Sequence, residues 1–357
     1  MSESIPIYKD NILYSMLSGH NFYKISELYN TNNKTKHINA FHVKDNVFTD
    51  IRIVDNVNLN TNISIDLWRR YISNPPGTAN ILWPIDIVDI STKQTKSSSL
   101  CGTYGLVFSK NKLILKNEKL LKELVYDDVQ LDWREKHIQN LIKSLLNELK
   151  LIYDFGYSLV SFDCRKISYG YDESKELKVL FDFSFSTVKL DQYDSYHNQK
   201  FLANDICVDF IPPWFKRDNV DKDYKKRDKA NISAEYYSIA AILFRLMIGR
   251  MPYQGKLMSK FADAGYLMTL EENEEAHINL MEKYIENPIF IFDKNDDSNH
   301  IGDIGDDDMY VERWESLNTD VQNMFLHTFS KDILENHQRK LYTISDWICA
   351  LEKLFQE

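Results

Sequence analysis

Gly156-Tyr157-Ser158-Leu159-Val160-Ser161-Phe162-Asp163-Cys164-Arg165-Lys166-Ile167 is a short apolar run that breaks into a loop carrying Asp163, Arg165 and Lys166. A β-hairpin follows it, ending on Lys178-Val179-Leu180-Phe181, with Asp182-Phe183-Ser184 directly behind. Upstream, Ile138, Leu141, Ile142, Leu145, Leu146, Leu149 and Ile152 recur with a period of 3.6 and predict one long amphipathic helix. Downstream, Tyr236 to Ile248 is apolar almost all round and predicts a buried helix. The loop and hairpin are thus set between two helices of different character.

Further out, the two ends of the chain differ. From Met16 to Ile90, β-branched and aromatic residues alternate with Asn/Asp-rich turns, as in His37-Ile38-Asn39-Ala40-Phe41-His42-Val43 and Ile51-Arg52-Ile53-Val54. One helix, 63–72, interrupts these strands and ends before Asn74-Pro75-Pro76-Gly77. Ile81-Leu82-Trp83-Pro84-Ile85-Asp86-Ile87-Val88 and Thr103-Tyr104-Gly105-Leu106-Val107-Phe108 supply two more strands, so the first third reads as a small sheet with a single helix. The tail, Thr319 to Phe355, reads as two or three short helices.

The chain has 357 residues, 43% of them hydrophobic and 27% charged, enough for one large two-lobed unit or two ordinary domains. A net charge of −10 argues against the basic footprint that nucleic acid or anionic membrane requires, and no nucleic-acid partner is expected. The start, MSESIPIYKDN, has no basic n-region leading into an apolar run, and the apolar stretch Ile239 to Ile248 is short and interrupted by Arg245. A cytoplasmic protein without membrane insertion is expected. Cys101, Cys164, Cys207 and Cys349 form no C-x-x-C pair and predict neither a zinc site nor a disulfide framework.

Two biased segments read as solvated loops. Residues 216–229 mix seven basic with four acidic side chains, and Asp293 to Asp308 is rich in Asp. Asp293, Asn295 and Asp297 alternate as in a calcium loop. The sixth position, however, is Ser298 rather than Gly, and the twelfth is Ile304 rather than a bidentate Glu.

The order of β-rich segment, long helix, Gly156 to Ser161, hairpin, Asp182-Phe183-Ser184, basic loop and buried helix resembles that of eukaryotic-like protein kinases. Ile81 to Val88, Phe210-Ile211-Pro212-Pro213, Tyr237 to Phe244, Asn287 to Asp293 and Asn295 to Asn299 bring it closer to one bacterial branch. That branch is the serine/threonine kinase-like family associated with von Willebrand-type and phosphatase partner proteins. The likeness runs over roughly residues 12–355. It implies an α+β, two-lobed fold, with a small β-rich N-lobe at 1–110 and a larger helical C-lobe at 111–357.

What the resemblance implies for chemistry can be followed residue by residue. Phosphoryl transfer needs a clamped triphosphate, two metal ions and a carboxylate that orients the acceptor hydroxyl. The glycine-rich loop is matched by Ser18-Gly19-His20-Asn21-Phe22-Tyr23-Lys24, which keeps only Gly19 for close approach to phosphate. The third-strand lysine is matched by Lys44, but no glutamate occurs between Glu27 and Glu118 to pair with it. Asp66 is a shorter substitute. Phe108 is added as a position against the cofactor.

The catalytic loop, H-R-D-L-x-x-x-N in an active kinase, aligns with Ser161 at the Asp and Lys166 at the Asn. Serine is no base, and a lysine ammonium repels Mg²⁺. Losing a positioned base costs on the order of 10² to 10⁴ in rate. A second alignment, slipped by two residues, makes Asp163 the base and Ser168 the metal ligand and stays open.

Asp182 matches the metal-binding Asp and can hold a metal ion or pair with Lys166. Pro212-Pro213-Trp214 replaces the motif whose Glu would pair with Arg339, and Glu235 takes the place of the Asp that braces the catalytic loop.

The expectation is a pseudokinase, a signalling or scaffold module with protein partners and no catalytic residues. It would take ATP through Gly19, Lys44, Phe108, Lys166 and Asp182 with little call for Mg²⁺, and Pro212 to Phe215 is a candidate partner surface. The alternative is a divergent active serine/threonine kinase using Asp163, Asp182 and Lys44.

Overall fold

The alternating first third forms antiparallel strands in the computed structural model. The structure describes residues 12–15, 21–30, 35–42, 47–54, 72–77, 80–89, 104–109, 115–126, 131–159, 164–182, 188–189, 212, 231–257, 288–301, 307–335 and 340–356. β1 (Ile12–Ser15), β2 (Asn21–Asn30), β3 (Thr35–His42) and β4 (Val47–Val54) run as a meander, and β4 continues onto β6 (Tyr104–Ser109) and then β5 (Pro84–Asp89). β5 pairs back onto β1 through Tyr14↔Asp89 and Ser15↔Val88, so the expected small sheet is a closed six-stranded barrel. Closure removes both free edges.

Phe22, Ala40, Ile51, Val88 and Val107 fill the barrel interior. Cross-strand partners share a face, so Asp86, opposite Val107, also stands on the inner face, where it is buried and accepts a 2.7 Å bond from the Ile87 amide. Phe108 is the next residue after Val107 and lies on the outer face, yet it is fully buried. The predicted 63–72 helix lies outside the described residues except for its last residue, Ile72, which is helical.

The rest of the chain is mostly helical. β7 (Lys116–Leu120) leads into α1 (Leu121–Tyr126), followed by α2 (Lys136–Asp154). α2 buries all seven of its periodic apolar residues, each worth about 1.5 to 3 kcal/mol relative to exposure. α3 (Asn231–Ile248) begins earlier than Tyr236, so Glu235 lies inside it rather than ahead of it. Every residue of α3 from Tyr237 to Ile248 is buried except Arg245, whose Nε donates to the Val125 carbonyl at 2.7 Å. The tail is three helices, α5 (Thr319–Thr328), α6 (Lys331–Glu335) and α7 (Ile344–Leu354), preceded by α4 (Asp308–Glu315).

Phe244 of α3 is the centre of the helical core, with edge-on rings of Phe290, Phe325 and Phe329 at 5.4, 5.1 and 5.6 Å. The architecture is mixed α+β, and among the described residues no helix is long and apolar enough to cross a membrane.

β9 (Ile167–Tyr171) and β10 (Leu177–Phe181) form the predicted hairpin, with β7 on its far side in a three-stranded sheet. At Phe181, the last residue of β10, the other edge meets the approach to the barrel. Ile81 bridges Phe181, the Leu82 amide donates to the Phe181 carbonyl at 2.7 Å, and the Phe181 amide donates to Asn80 at 2.8 Å. Residues 80–89 therefore serve two sheets in succession. The change occurs at Pro84, which has no amide to donate and opens β5 at a register irregularity.

Candidate functional site

α2 ends at Asp154, and Gly156, with φ of 78°, turns the chain out of the helix. The chain then enters β8 (Tyr157–Ser158), which pairs with β11 (Val188–Lys189) through Val188↔Ser158 and Lys189↔Tyr157. Two short ladders thus bracket the site: β8 with β11 on one side, and β9 with β10 on the other.

Leu159, just after β8, is buried, and its amide donates at 2.5 Å to a carboxylate oxygen of Glu235 on α3. The carboxylate satisfies a buried amide that no ladder reaches, and a charged acceptor makes such a bond stronger than a neutral one. Glu235, expected to brace a catalytic loop, is bonded to Leu159 at the end of the described segment.

A 3₁₀ turn, Cys164–Lys166, delivers the chain to β9. Ile167 pairs with Phe181, so Lys166 and Asp182 lie opposite each other at the open end of the hairpin, where the Asp182 amide donates to the Lys166 carbonyl at 2.7 Å. Both side chains are partly exposed. Ser168, the metal ligand of the slipped alignment, is paired with Leu180 inside the hairpin and is buried. Lys166 and Asp182 at this open end are a cation beside a carboxylate, a combination that can hold an anionic ligand on Lys166 while Asp182 offsets or directs its charge.

The seam to the barrel lies beside this end. Asn80 donates through its side-chain amide to Glu148 of α2, and the Tyr157 hydroxyl donates to the Asn74 carbonyl. The Trp83 ring sits edge-on to Tyr157 at 5.1 Å. Sequence reasoning missed these residues because Glu148 reads as an ordinary polar-face residue of α2, and Asn74 and Asn80 as loop. Phe108 lies on the barrel wall, where Pro84 and Asp50 are its strand partners.

The remaining candidates, Gly19, Lys44, Asp66, Ser161, Asp163, Trp214 and Arg339, lie outside the described residues, as does the basic loop 216–229. In the Asp-rich loop the carboxylates shape turns. Asp293 accepts from the Asn295 amide at 2.8 Å, and Asp296 from the Ser298 hydroxyl at 2.6 Å, which with the Ser298 amide holds its carboxyl below the ordinary range. Buried Asn299 closes the loop, donating to the carbonyls of Ile289 and Tyr253 and accepting from the Leu257 amide. Among the described residues no group of three or more His, Cys, Asp or Glu side chains could hold a metal ion.

Comparison of the chain with protein-family models and with curated proteins gives no match.

Proposed function

We propose that this chain is a pseudokinase of the bacterial eukaryotic-like serine/threonine kinase type, a signalling or scaffold module that takes ATP without efficient phosphoryl transfer. The observation that carries the reading is the placement of Lys166 opposite Asp182 at the open end of the β9–β10 hairpin. A lysine there supplies in place the positive charge that a metal ion would bring to a triphosphate, and it repels Mg²⁺ from the neighbouring carboxylate. The bond from Leu159 to Glu235 ties the segment leading into the loop to α3, the place a bracing carboxylate has in this reading. Gly19, Lys44 and Phe108 complete the nucleotide site in this reading. The protein acts in the cytoplasm through protein partners.

The test is a thermal-shift titration with ATP, in Mg²⁺ and then in EDTA. At 100 times its Kd the ligand should stabilise the protein by about 2.7 kcal/mol. The expected result is an equal shift in EDTA that Lys166→Ala abolishes. A shift that requires Mg²⁺ would replace this reading with the divergent active kinase using Asp163, Asp182 and Lys44, and no shift at all would remove nucleotide from the function.

A further inference from the structure

We draw no further inference here: the strongest candidate, the exposed apolar patch of Leu151 and Phe155 at the C-terminal end of α2, carries nothing, since nothing in the structure shows what covers it.

Discussion

A carboxylate at position 235 accepts a backbone bond that alanine there would leave unmade. The Leu159 amide is buried, so Glu235→Ala strands it at a cost of about 1 to 3 kcal/mol, whereas Glu235→Gln keeps an acceptor of the same length. Urea unfolding is expected to show a lowered midpoint for Glu235→Ala at unchanged slope, with most of the loss recovered in Glu235→Gln. At this scale the sequence is informative where a residue's neighbours in the chain decide its surroundings. Lys166 and Asp182 could be set opposite each other because a hairpin pairs residues by counting outward from its turn. The seam residues could not be read this way, since Asn80 and Glu148 are 68 positions apart and no local pattern relates them.

Elements were legible in proportion to their periodicity. The seven buried residues of α2 are those its 3.6 period marks, because one face of a long helix meets the core along its whole length. β7 escaped notice because four of its five residues are exposed, which leaves no apolar alternation to see. The double service of residues 80–89 was hidden for the opposite reason, since Ile81, Leu82 and Trp83 continue into β5 as one apolar run and only Pro84 marks the change of sheet. Barrel closure depends on Tyr14 meeting Asp89, a pairing between distant segments that neither strand announces.

The terminal helix shows how local chemistry fixes an element. Thr343 accepts from the Asp346 amide at 3.3 Å while Asp346 accepts from the Thr343 amide at 2.8 Å, a capping box at the start of α7. Thr343→Ala removes half of the box and should lower stability by about 1 kcal/mol, seen as a lower unfolding midpoint in circular dichroism.

For the molecule as a whole, the helical core holds a pair of phenols with a consequence for pH. Burial pushes the ionisation of Tyr237 and Tyr253 well above the ordinary value of 10.0. Above that value the unfolded chain releases these protons while the folded chain keeps them, so the stability present below pH 10 falls as pH rises. Each phenol contributes a slope of up to about 1.4 kcal/mol per pH unit. The fall should be cooperative unfolding rather than gradual titration, and Tyr237→Phe should flatten it, as followed by absorbance of tyrosinate against circular dichroism. An unchanged slope in Tyr237→Phe would show that the phenol ionises without unfolding the core.

Residues 80–82 also occupy the margin of β10 at Phe181. The amide and carbonyl of Phe181 are both taken by Asn80 and Leu82. A fragment that began beyond the barrel would present these groups to solvent at the border of a three-stranded sheet, where they invite pairing with another chain. The stretch that leads into the barrel thus also takes up two strand groups that a severed helical part would leave open to another chain.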